Sequence, residues 1–119
     1  MHLKNWSLIY PDKRTAVLSP ADDLVSTIAY IEGEDTAALK YSRPKKMAEF
    51  NTDELRHLAA KALLPEKLVI DTANETVRRF REVWEAEKYN LPLTEKVTNM
   101  IDAHALTIPL YEELRRKKQ

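Results

Sequence analysis

A mostly helical α+β fold, with a short N-terminal β-hairpin or β-layer followed by about four helices, is what this sequence predicts. Three observations carry that expectation. Trp6, Leu8 and Tyr10 alternate with Asn5, Ser7 and Ile9 up to Pro11-Asp12, the period-two pattern of a strand. From residue 52 onward apolar residues recur at helical spacing behind helix-start signals. The chain of 119 residues is 44% hydrophobic and 32% charged, which is enough apolar material for one folded domain.

The elements follow in order. Thr15 to Leu18 reads as the strand returning from Tyr10, so residues 4–18 form a hairpin with its turn at Pro11-Asp12-Lys13-Arg14. Ser19 at N-cap, Pro20 at the first helical position and Asp22 at N3 then announce a helix. Leu24, Val25, Ile28 and Ile31 share one face of it, and Gly33 is a natural stop. After Thr27 a second hairpin competes with that helix. Residues 36–42 read as a strand and residues 43–46, Arg-Pro-Lys-Lys, as a surface linker.

The second half is helical. Thr52 caps a helix over residues 52–64 with Leu55, Leu58, Ala59, Ala62 and Leu63 on one side. Thr72 and Glu75 form a capping box for a helix to about residue 88, whose buried stripe is Ala73, Val77, Phe80 and Trp84. Another helix starts at Thr94 with Val97, Met100 and Ile101, and Pro109 opens a last short one. Residues 1–43 then form a hairpin and β-layer and residues 44–119 a helical subdomain.

Composition excludes several function classes. Nineteen basic and nineteen acidic residues balance, so no global field draws the chain to nucleic acid or to an anionic membrane. There is no cysteine, hence no disulfide and no thiolate metal site. No apolar run approaches the roughly 18 residues of a membrane span, and the start lacks a signal-peptide core. A cytoplasmic protein is expected. Gly33 is the single glycine. A phosphate-cradling loop needs several, because backbone must approach the anion closely and adopt positive φ. If this chain handles a nucleotide, it holds only part of the apparatus.

The N-terminal stretch carries the chemistry. A magnesium–nucleotide site needs hard oxygen ligands on rigid elements, such as an Asp carboxylate and an Asn carbonyl. Protein kinases place an Asn at the end of the catalytic loop and an Asp shortly after the next hairpin. Asn5, a hairpin and then Asp23 have that order, though hairpins flanked by Asn and Asp are common. The residue types say more. His2, Lys4, Asn5, Trp6, Ser7 and Leu8, then Ser19, Pro20, Asp23 and Leu24, resemble two segments of the HipA-like serine/threonine kinases, the toxin kinases of toxin–antitoxin modules. The first segment reads Asp-x-His-x-Lys-Asn-aromatic-Ser-Leu in that family. The second follows a hairpin and reads Ser/Ala-Pro-x-aromatic-Asp-Leu.

The resemblance implies magnesium and ATP as cofactors of the complete kinase, with Asn5 and Asp23 as the metal ligands. His2 and Lys4 would be catalytic-loop members without an assigned role. The family's general base stands five residues before the Asn, a position preceding Met1, and its nucleotide-gripping elements lie further upstream. The sequence is therefore expected to be the C-terminal part of a longer kinase, inactive by itself. Asp22 departs from the family, which carries an aromatic residue there. It is a helix-cap carboxylate or a competing metal ligand, so the choice between Asp22 and Asp23 stays open.

Other residues have plainer readings. His57 and His104 lie on helices without a second ligand at metal spacing, so they are structural. Phe80, Val83 and Trp84 read as core. Arg78, Arg79 and Arg81 sit among Glu75, Glu82, Glu85 and Glu87 as a solvated, ion-paired face. Ser7, Ser19 and Ser26 lack a His-Asp partner pair, which gives hydrolase chemistry no support. The expected function is ATP γ-phosphoryl transfer to protein Ser or Thr by the whole kinase. The expected partners are a protein substrate and an antitoxin-like protein or the kinase's N-terminal half. The alternative is a stand-alone partner-binding module. A nucleic-acid-binding helical domain is disfavoured by the charge balance.

Overall fold

The computed structural model describes residues 5–21, 27–31 and 33–116. It has the predicted character: among the described residues, a two-stranded antiparallel hairpin at the N-terminus and then four α-helices. Strands β1 (Leu8–Ile9) and β2 (Val17–Leu18) pair with Leu8 opposite Leu18 and Ile9 opposite Val17. The turn is built by Asp12. Its carboxylate accepts from the Arg14 and Thr15 amides, at 2.9 and 2.7 Å, and from the Thr15 hydroxyl at 2.7 Å. Lys13 takes a left-handed φ of 63° and donates its amide to the Tyr10 carbonyl at 3.0 Å. The loop thus absorbs Thr15, which the sequence assigned to the returning strand.

Between hairpin and helices the expectations needed correcting. Residues 22–26 of the helix expected between Ser19 and Gly33 lie outside the described residues, so Leu24 and Val25 are not placed. Beyond them there is a single 3-10 turn, Thr27–Ala29, with Ala29 buried and Ile31 exposed. β-branched Thr27 and Ile28 give helix little support there, and Gly33 turns the chain with φ 74°. The strand expected over residues 36–42 reduces to one antiparallel bridge, Thr36 with Lys46. Side chains take over the bonding that a ladder would use. Lys45 Nζ donates to the Ala38 carbonyl at 3.0 Å and Tyr41 Oη to the Lys46 carbonyl at 2.6 Å.

Helix α1 (Thr52–Ala62) is capped by Asn51, not Thr52: the Asn51 side chain accepts from the Glu54 amide at 3.0 Å. Thr52, one position inside, instead donates its hydroxyl to Glu113 at 2.6 Å. The helix ends at Leu63, which adopts a left-handed φ of 55°. The Leu64 amide reaches the Ala59 carbonyl at 2.9 Å and the Leu63 amide the Ala60 carbonyl at 3.3 Å, a Schellman closure made without glycine. Leu63, expected in the apolar stripe, is therefore 92% exposed.

That tight reversal lets helix α2 (Glu66–Glu87) begin directly after Pro65, six residues ahead of the expected capping box. Thr72 and Glu75 lie in its interior, where the Thr72 carbonyl accepts from the Thr76 hydroxyl at 2.8 Å. Helix α3 (Glu95–Thr107) starts as expected, with Thr94 at N-cap accepting from the Val97 amide at 3.4 Å. Helix α4 (Pro109–Arg116) starts at its proline, whose missing N–H needs no partner there.

The core gathers Leu55 and Ala59 of α1, Trp84 of α2 and Leu110 of α4, and Ala29 is buried in the Thr27–Ala29 turn, which packs against α3. Phe80 stacks on Trp84 at 6.1 Å between centroids and meets Tyr111 edge-on at 6.3 Å. Phe80 and Val83, expected as core, keep 42% and 60% of their surface. The buried stripe on α2 is narrower than its apolar composition. Among the described residues no helix is long and apolar enough to cross a membrane.

Candidate functional site

The hairpin closes at its open end. One residue past the strands, the Ser19 amide donates to the Ser7 carbonyl and the Ser7 hydroxyl donates to the Ser19 hydroxyl, each at 2.9 Å. The two chain segments therefore leave the ribbon side by side. Asn5 is two residues before Ser7, in a helical turn leading into the hairpin, and is partly buried. Its amide oxygen is a hard, neutral donor of the kind a magnesium ion accepts. This described half of the expected donor set has the donor chemistry that a metal–phosphate role needs. His2, Lys4, Asp22 and Asp23 lie outside the described residues. Among the described residues no group of three His, Cys, Asp or Glu side chains is placed to hold a metal.

The hairpin itself is apolar and uncovered. Trp6, Leu8, Ile9, Tyr10, Val17 and Leu18 are all exposed. An isolated two-stranded ribbon is marginal in water, so these residues mark a surface to be covered. Asp12 compensates locally: amide donors from Thr15 and Arg14 pull its carboxyl down to about 2.

Two ion-paired clusters tie together parts of the chain that follow the hairpin. Arg43, in the segment expected to be a plain linker, is pinned to α1. Its Nε donates to Glu54 at 2.9 Å and its Nη2 to Asp53 at 2.8 Å. The guanidinium draws the Glu54 carboxyl down to about 2. The second cluster joins α2 to α3. Asp102 accepts from Trp84 Nε1 at 2.6 Å through one oxygen and from Lys88 Nζ at 3.1 Å through the other. The indole donor first, and the ammonium second, lower the Asp102 carboxyl. Lys88 is raised by Glu85 and then by Asp102. Sequence reasoning missed this seam, although Trp84 and Lys88, one helical turn apart, could have pointed to a shared acceptor.

An open groove of about 610 Å³ runs along α2, lined by Asp71, Asn74, Glu75, Arg78, Arg81 and Leu114 among others. Its charges are already matched. Arg78 donates to Glu75 at 2.6 Å and to Glu82 at 2.8 Å, the mixed, paired face expected for this helix. Arg81 lies over the Tyr111 ring at 5.4 Å. Nothing in the groove supplies a nucleophile with a base. His57 is exposed on α1 and His104 is half-buried on α3.

Comparison with known proteins bears out the family resemblance carried by the N-terminal motifs. A family model described as the HipA-like C-terminal domain matches residues 1–84. A protein of Sinorhizobium fredii named "Putative kinase Y4dM" is 71% identical over 116 residues, which is 98% of this chain and 28% of that protein. The chain thus spans little more than a quarter of the length of that curated relative. No solved structure matches.

Proposed function

This chain belongs to the HipA-like C-terminal domain family, and from that premise we propose that it supplies the metal arm and the helical support of a Ser/Thr protein kinase. The observation that carries the reading is the closure at Ser7 and Ser19, which sends the Asn5 segment and the segment leading to Asp23 out of the same end of the ribbon. The kinase name of the 71% identical relative supports the same reaction class.

In this reading Asn5 and Asp23 hold magnesium against the phosphates of ATP. Bound there, the ion supplies neutralisation of the charge on the transferred phosphoryl group. Asn5 contributes an amide oxygen on a segment fixed by the ribbon, and Asp23 a carboxylate. A base Asp, at a position preceding residue 1, orients the Ser or Thr hydroxyl of the protein substrate. The ribbon's apolar side chains pack against the nucleotide-binding part of the kinase. The reading places the protein in the cytoplasm, as a toxin kinase with an antitoxin-like partner.

A second reading is favoured by the exposed ribbon: the same region acts as a module that docks on a separately encoded kinase half. One experiment separates the two. The 119-residue chain, incubated with magnesium and γ-labelled ATP, transfers no label to protein Ser or Thr. A longer protein carrying this region does transfer it. Label transfer that appears only on mixing the chain with a separate kinase half identifies the docking module. Robust transfer by the chain alone contradicts both readings.

A further inference from the structure

We propose that residues 35–47 form a docking surface for an acidic segment of a partner protein, gripped by the ammonium groups of Lys40, Lys45 and Lys46 beside Leu39. The surface is separate from the metal arm, so its failure leaves the kinase reading untouched. Its base is a closed loop. Met47 donates its amide to the Asp35 carbonyl at 2.9 Å, Ala37 donates to the Lys45 carbonyl at 2.8 Å, and Thr36 bridges Lys46. The chain therefore leaves and re-enters at one place, as in a compact loop packed by its own side chains. Tyr41 meets Phe50 edge-on at 4.7 Å and donates its hydroxyl to the Lys46 carbonyl at 2.6 Å, while Ser42 is buried. The two-pronged hold of Arg43 on Glu54 and Asp53 staples the loop to α1.

What this leaves outside is cationic. Lys40, Lys45 and Lys46 are exposed, and Leu39 keeps 40% of its surface. Lys45 Nζ is anchored on the Ala38 carbonyl at 3.0 Å, a neutral partner that fixes its place and leaves its charge uncompensated. Lys40 follows Ala38 by two residues, at most about 7 Å of chain, so its side chain starts from the same tip. Among the described residues no carboxylate pairs with any of the three ammonium groups. Cations on the helices are placed differently: Arg78, Lys88 and Arg115 each sit within 3.1 Å of a carboxylate. Unpaired charges on a loop already closed by its own bonds are preorganised for a negative partner, because little remains to be ordered on binding.

The charge pattern selects the kind of anion. Duplex DNA carries a charge about every 1.7 Å and needs a continuing cationic track. Here the track stops. Burial, and then the charges of Glu49, Glu54 and Asp35 around the base of the loop, raise the Tyr41 hydroxyl. A polyanion running off the tip would meet those carboxylates. A short acidic segment of a protein ends where the ammonium groups end, and an apolar residue within it covers Leu39.

The test is binding of a fluorescein-labelled peptide of alternating Asp, Glu and Leu to the 119-residue chain, read by anisotropy and by backbone amide shifts. Saturable binding that weakens as salt is raised is expected, with the shifts concentrated at residues 38–46. The same peptide with Asn and Gln in place of its acids does not bind. Lys40→Glu combined with Lys45→Glu weakens binding by roughly tenfold or more. Lys40→Gln combined with Lys45→Gln keeps a donor for the Ala38 carbonyl and removes two charges. It weakens binding by roughly threefold and is the variant read if charge reversal disturbs the loop. Lys61→Glu, exposed on α1, leaves the affinity within about twofold. Absence of saturable binding, equal affinity for the neutral peptide, or shifts centred on the ribbon overturns the proposal. So does a single-stranded oligonucleotide that binds the same loop more tightly than the peptide, which reassigns the surface to nucleic acid.

Discussion

Ser7 and Ser19 face each other across the end of a two-stranded ribbon, hydroxyl to hydroxyl at 2.9 Å, with the Ser19 amide on the Ser7 carbonyl at the same distance. Few residues hold this ribbon, so each bond matters to where the two flanking segments go. Ser19→Ala removes the hydroxyl pair and keeps the backbone bond. An exposed hydrogen bond of this kind contributes about 0.5–1.5 kcal/mol. Hydrogen exchange at the residue-19 amide should rise by roughly three- to tenfold, while exchange in α1 and α2 is unchanged.

Asp12 gives the ribbon a pH limit. Its carboxyl is lowered to about 2 by the Thr15 and Arg14 amides. A depressed carboxyl contributes stability that is complete above its ordinary value and lost as pH falls through the folded value. Hairpin order, followed by the amide shifts of Ile9 and Val17, should hold from pH 7 to about 4 and disappear toward pH 2. In Asp12→Ala the hairpin signals should already be those of an open chain at neutral pH.

The Arg43–Glu54 tie behaves in the same way at the base of α1. Glu54 is drawn down to about 2, first by the Arg43 guanidinium. Its contribution is therefore present above about pH 4.5 and fades between there and 2. Wild type minus Glu54→Gln, compared as a difference in Tm, should be largest near neutral pH and shrink below 4. A difference that grows on acidification contradicts the pairing.

Leu63 offers a stabilising change. It sits at φ 55° and is 92% exposed, so it carries the left-handed strain without repaying it in packing. Leu63→Gly should stabilise the fold by about 1 kcal/mol, a rise in Tm of roughly 3–5 °C for a domain of this size.

Helix α4 is tied to the start of α1 by two bonds across a large sequence separation. Thr52 donates to the Glu113 carboxylate at 2.6 Å, and the Leu110 amide donates to the Phe50 carbonyl at 2.9 Å. Thr52→Val keeps the shape and removes the side-chain donor. A loss of about 1.5–3 kcal/mol is expected for a bond to a charged acceptor. Thermal melts followed by Tyr111 and Trp84 fluorescence should report it.

Local chemistry was legible in the sequence, and tertiary substitution of one partner for another was not. The ribbon, the Thr94 cap and the Pro109 start follow from signals within three residues of each element. The start of α2 does not. It depends on Leu63 accepting a left-handed turn that sequence patterns assign to Gly or Asn, so the interior pair Thr72 and Glu75 looked like the beginning. Thr52 looked like a cap because nothing local reveals that Glu113 claims its hydroxyl. The family was legible in the residues around Asn5. Asp102 was not, since a carboxylate in mid-helix declares no partner until Trp84 and Lys88 come to face it.

The most direct test of the central claim is the magnesium dependence of ATP-driven Ser/Thr phosphorylation by a longer protein carrying this region, in three single variants. Asn5→Ala and Asp23→Ala should each lower turnover by roughly 100-fold or more, the several kcal/mol that a phosphate-bound metal supplies. Asp22→Ala should retain most of it. Full magnesium-dependent turnover in Asn5→Ala and Asp23→Ala would contradict the account, and loss in Asp22→Ala with Asp23→Ala active would move the carboxylate ligand one position back.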